Sequence, residues 1–182
     1  MMVGEDRIPG GSARAAAQRA VELMDVLLRE RPTVELVTDV LVTHGEKEPL
    51  GLTAADVGEL RAAAHALRAV FAAEGVAEAA AVLNDLLAAN AAPPRLTSHG
   101  GEHPWHLHID ADDDGPWGRW LVTSSCLAFA VLLTDRQRPP GGLCASESCG
   151  RPFVDLGGGS PRRYCSTRCA TRERVAAHRK RG

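Results

Sequence analysis

CASESCG, residues 144–150, and RRYCSTRC, residues 162–169, place four of the chain's five cysteines within 26 residues. The spacing is C-x4-C, fifteen residues, then C-x3-C. Two close pairs of thiolates separated by a loop of this size suit a tetrahedral zinc ion, with sulfur about 2.3 Å from the metal. Cys144, Cys149, Cys165 and Cys169 are therefore the expected ligands of one structural zinc. Four cysteines close the coordination sphere and leave no position for a reactive water. Two disulfides or free thiols fit the paired spacing less well, and four thiolates can also hold an iron–sulfur cluster. The first pair lies on a turn ending in Gly150, and the second opens a helix for which Ser166 is the expected cap. A segment of about 40 residues buries too little surface to fold unaided, so the metal supplies stability, with Phe153 and Tyr164 packed beside it.

After Cys169 the chain reads ATRERVAAHRKRG, residues 170–182. Arg168, Arg172 and Arg179 fall on one helical stripe with Val175 between them, and Arg174, His178 and Arg181 on another. From residue 144 onward there are nine Lys/Arg against three Asp/Glu, a net +6, whereas residues 1–143 carry −8. The basic part suits a polyanion that the acidic part would repel. The expected nucleic-acid contacts are Arg162, Arg163, Arg168, Arg172, Arg174, Arg179, Lys180 and Arg181. Nothing in the sequence supplies a way of reading bases.

Working back from the cysteines, PPGG at 139–142 reads as the core of a linker over 139–143. The preceding sequence is rich in alanine, with only 4% aromatic residues, which favours helix packed on helix. Helical spacing runs over 12–31, with Ala17, Ala20, Val21, Met24, Leu27 and Leu28 on one face, and Pro32 stops it. Residues 34–42 read as a short helix or a strand, with helix the favoured reading. Residues 53–74 form a clearer one, with Thr53 and Asp56 as a capping pair, and residues 76–90 another with Ala80, Leu83, Leu86 and Leu87 inward. Two short strands over 95–98 and 105–110 flank a Gly100-Gly101 turn, an exposed acidic turn follows at Asp112–Asp114, and a last helix spans 118–135. The expected fold is mostly α with a small β element: a disordered tail over 1–11, a helical domain over 12–138, and the four-cysteine module over 144–182 ending in a basic helix.

His99, His103, His106 and His108 crowd into ten residues. His106 and His108 share a face of a strand, which allows a second metal, but no carboxylate or cysteine stands at an obvious partnering spacing. Structural hydrogen bonding is the stronger reading, and a small-molecule pocket near Trp105, His106, His108 and Trp120 the more favoured functional one. Cys126 lies in an apolar run and reads as a buried small residue. No P-loop, dinucleotide fingerprint or nucleophile elbow is present, and no catalytic set can be assembled, so a non-enzyme is expected. No apolar run approaches the ~20 residues of a membrane span, and no signal segment is visible, so no membrane partner and a cytoplasmic location are expected.

The segments Cys144-x4-Cys149, Phe153–Asp155, Arg162–Ser166, Cys169-x-x-Arg172 and Arg179–Arg181 resemble the CGNR zinc finger, a bacterial module. The motif's Gly-Asn is Ala170-Thr171 here, and the second pair is spaced x3 where the family often has x4. More loosely, the helical part with PPRLT (93–97), WHLH (105–108) and RWL (119–121) resembles the ABATE domain that usually precedes this finger. Together these imply a stress-induced bacterial transcription regulator of actinobacterial type, with a ligand-sensing N-terminal domain and a DNA-binding finger. Homodimerisation would enlarge a single finger's footprint. A zinc-stabilised protein-interaction or RNA-binding adaptor without DNA specificity is the alternative.

Overall fold

The computed structural model describes residues 10–180 apart from 30 and 102. The tail expected over 1–11 lies outside the described residues as far as residue 9, while Gly10 and Gly11 already belong to the first helix. Six α-helices occur in this range: α1 (Gly10–Leu27), α2 (Val34–Thr43), α3 (Ala54–Ala72), α4 (Val76–Asn90), α5 (Trp117–Arg136) and α6 (Thr167–Arg179). Four three-residue strands pair as two antiparallel ribbons, β1 (Arg95–Thr97) with β2 (His106–His108), and β3 (Gly141–Leu143) with β4 (Pro152–Val154). The chain is thus mostly helical with a small β element, as its composition implies.

The helices start where local chemistry satisfies their free N–H groups. Thr33 caps α2 by accepting from Leu36 N. Thr53 caps α3 in a full capping box, its hydroxyl accepting from Asp56 N while the Asp56 carboxylate accepts from Thr53 N at 2.8 Å. α5 is the axis of the helical part and packs against α1, α3 and α4. It buries Leu121, Val122, Cys126, Phe129 and Leu132 among others, and Phe129 meets Phe71 of α3 edge-on at 5.0 Å. By length and apolar content α5 could cross a bilayer, but burial on several sides accounts for the same composition.

The interval read as a linker is structured. Pro140 is buried, and residues 141–143 are strand β3. Pro139 and Pro140 precede the strand, and Gly141 and Gly142 are tolerated within it because it is only three residues long and pairs on one side alone. Gly141 is required there: a Cβ at this position would lie 1.8 Å from the Phe153 carbonyl oxygen. The β3–β4 ribbon lies against α1 and α3. Along β4, Val154 joins the helical core with Leu143 and Leu156 packed around it, whereas Phe153 packs with Cys144 and Cys169. Strand alternation sends neighbouring side chains to opposite faces, so a single strand serves two cores.

Polar contacts seal the same boundary. Arg136, at the end of α5, donates to the carbonyls of Asp155, Leu156 and Gly157. Arg138 donates to the carbonyls of Gly157 and Gly159. Arg151 pairs with Asp25 of α1 through Nε at 3.0 Å and Nη1 at 3.1 Å.

Candidate metal centre and basic helix

The first cysteine pair sits in the loop of the β3–β4 hairpin. Cys144 N donates to Arg151 O at 2.8 Å and Cys149 N to Ser146 O at 2.9 Å, which folds 144–149 into a tight knuckle. Gly150 leaves it at φ +61°, where side chains are disfavoured. The second pair straddles the start of α6. Ser166 is the N-cap, its hydroxyl accepting from Cys169 N at 3.3 Å, so Cys165 precedes the helix and Cys169 lies in its first turn.

The four Sγ atoms lie within 4.8 Å of one another. Cys165 Sγ is 3.7 Å from both Cys149 Sγ and Cys169 Sγ. Sulfurs about 2.3 Å from a tetrahedral zinc are about 3.7–3.8 Å apart, so the spacing fits the ion. Cys165 N also donates to Cys144 Sγ at 3.4 Å, tying the two cysteine pairs together. Hydrogen bonding to Ser166 draws Cys169 down to about 7, while loss of hydration pushes Cys165 up to about 12. Cys126 is apart from the cluster and buried in α5, where desolvation raises it to about 12 and keeps it an unreactive thiol.

The surrounding residues hold this arrangement. Phe153 and Tyr164 pack with the cysteines, as expected. The buried Ser146 hydroxyl donates to Glu173 of α6 at 2.7 Å, tying knuckle to helix. Asp155, almost buried, accepts from Gly157 N and Arg162 N and fixes the loop leading to Cys165.

The basic residues divide into two groups. Arg162 is exposed but folds back on its own loop, donating to Cys165 O at 2.7 Å and lying over the Phe153 ring. Arg172 donates to the Ser148 hydroxyl of the knuckle. Arg163, Arg168, Arg174, Arg179 and Lys180 are exposed and form no ion pair among the described residues. Arg181 lies outside the described residues. Ala170, in place of the motif glycine, donates its N–H to Ser166 O at 3.1 Å, so this position is ordinary helix.

The expected small-molecule residues do not converge. Trp120 packs edge-on against Trp117 and under the Arg19 guanidinium of α1, and Trp105 is 73% exposed. His106 and His108 are instead joined by His99, whose ring arrives from the turn over His99–Gly101. Burial holds His99 below the ordinary histidine value. Spacing along β2 pairs only His106 with His108. The left-handed backbone of His99, Gly100 and Gly101 that brings the third ring back is not visible in a strand pattern.

A helical domain with a closed four-cysteine site on a hairpin and helix defines a zinc-finger protein whose metal is structural. Residues 142–182 match the model of the CGNR zinc finger family. Comparison of the chain with curated proteins returns no match.

Proposed function

We infer that the finger holds α6 against a DNA backbone and that the whole chain acts as a transcription regulator, with the ABATE-like helical part as its effector-sensing domain. The observation that carries this reading is the exposed set Arg163, Arg168, Arg174, Arg179 and Lys180, free of ion pairs among the described residues and borne on a segment of net +6. Guanidinium forks suit phosphate oxygens, and such contacts position a protein on a duplex without reading its sequence. The acidic remainder of the chain would be repelled by the same polyanion and so orients the finger toward it.

Anisotropy titration of labelled duplex DNA with the zinc-loaded full chain tests this reading. Affinity should fall with salt, each phosphate contact adding about 0.9 to the log–log slope. Arg174→Gln and Arg179→Gln should each lower that slope by about 1 without unfolding the protein. Absence of DNA binding at low salt would overturn the reading. Preference for single-stranded RNA over duplex DNA would favour the adaptor alternative.

A further inference from the structure

The turn at His99–Gly101 and strand β2 bring three histidine rings together. The rings of His99, His106 and His108 form a triangle with centroids 4.8–5.0 Å apart. Their Nε2 atoms face inward: His106 Nε2 is 3.1 Å from His99 Nε2 and 3.0 Å from His108 Nε2. All three rings are partly buried, and their ligand atoms lie within 4.8 Å of one another.

The outward nitrogens determine where the protons are. His106 Nδ1 is 2.7 Å from the Pro104 carbonyl oxygen, which can only accept, so that nitrogen carries hydrogen. His108 Nδ1 is 2.9 Å from the Asp110 carboxylate, and His99 Nδ1 is 3.5 Å from that of Asp113. With its hydrogen on the outward nitrogen, an uncharged ring in this arrangement presents an Nε2 lone pair to the cluster. Lone pairs facing each other at 3.0–3.1 Å, as between His106 and each of the other two rings, repel unless a cation, a proton or a metal ion, sits between them. A carboxylate or carbonyl on the far nitrogen is also the usual way a metal-bound imidazole is oriented. Nitrogens about 2.0–2.1 Å from a tetrahedral ion lie about 3.3–3.4 Å apart, a few tenths of an ångström from the spacing of His106 Nε2 to the other two.

We propose that His99, His106 and His108 bind a divalent transition metal through their Nε2 atoms, at a site separate from the cysteines. The nearby acidic groups hold the ligands rather than the metal. Arg95 Nη2 lies 2.7 Å from both Asp110 Oδ1 and Asp113 Oδ1 and already satisfies those carboxylates. His103 stands edge-on to His99 with centroids 5.3 Å apart and is outside the convergent set. Three protein ligands leave a coordination position for water or an exogenous donor, unlike the closed cysteine site.

Metal counting on the full chain tests this. Dialysed against zinc and analysed by mass spectrometry, the wild type should hold two equivalents, His106→Gln one, and His103→Gln two. Cobalt substitution reads the sites separately, because only the cysteine site gives a thiolate-to-cobalt charge-transfer band. That band should survive in His106→Gln. Should this substitution disturb the finger, the wild-type count decides alone: two bound cobalt ions, only one of them thiolate-ligated, sustain the site. A single equivalent in the wild type, or two retained in His106→Gln with the finger intact, would overturn it.

Discussion

Gly141 shows how closely the finger is fitted to its hairpin. Adding a Cβ would place a carbon 1.8 Å from the Phe153 carbonyl, and that obstacle is backbone with no rotamer to yield. Gly141→Ala should therefore break the β3–β4 pairing and destabilise the finger by roughly 3 kcal/mol or more. Gly158 supplies the control, since a Cβ there meets nothing within 4 Å. Gly158→Ala should change stability by less than about 0.5 kcal/mol. Urea titrations of both variants with zinc in excess would check the contrast, and equal midpoints would refute it. The same close approach explains why a glycine pair that reads as linker is strand: at Gly141 the missing side chain makes room for a partner strand rather than for flexibility.

Among the elements, α3 offers a pH test. Asp56 accepts from the Thr53 hydroxyl and backbone N–H, and these bonds hold its carboxyl below the ordinary value of 3.8. A depressed folded value means that the cap's stabilisation is present above the unfolded value and is lost as pH falls through the folded one. Asp56→Asn should remove that acid-side dependence and leave stability near neutral pH slightly lower. Thermal unfolding followed from pH 7 down to about pH 3 would detect it; parallel curves for variant and wild type would count against the assignment. On α6, Ser166→Ala should cost about 1 kcal/mol through the lost cap to Cys169 N, and should weaken zinc binding with it. Both caps were legible in the sequence, as were the helices with sustained 3.6-residue periodicity and the four cysteines. What escaped depended on distant partners. In α4 the deepest alanine is Ala79 rather than Ala80, because α5 and α3 set which face is inward. Trp120 and Trp105 carry the same chemistry yet point to unrelated surroundings, and only the packing of α1 on α5 separates them.

For the molecule as a whole, the question is where the metal-dependent unit ends. The cysteine spacing alone suggests that Cys149→Ser or Cys169→Ser unfolds everything from 144 onward and leaves the helices intact. The β4 strand argues for a different boundary. Phe153 belongs to the zinc cluster, but its neighbour Val154 belongs to the helical core, together with Leu143 and Leu156. Arg136 and Arg138 grip residues 155–159 from the end of α5, and Arg151 is paired to Asp25 on α1. None of these contacts involves the metal. Stripping zinc should therefore free the knuckle 144–150 and α6, whose attachment runs through sulfur, Ser146 and Ser148. The β3–β4 ribbon should remain docked. Hydrogen exchange before and after chelation would show protection lost over 144–150 and 165–179 but kept in part over 152–156. The helical domain should also unfold at lower urea than in the zinc form, since its core shares Val154 with the weakened part. Complete loss of protection over 152–156 with an unchanged helical midpoint would instead make the finger a separate unit. In that event the arginine contacts across the boundary would carry no measurable coupling.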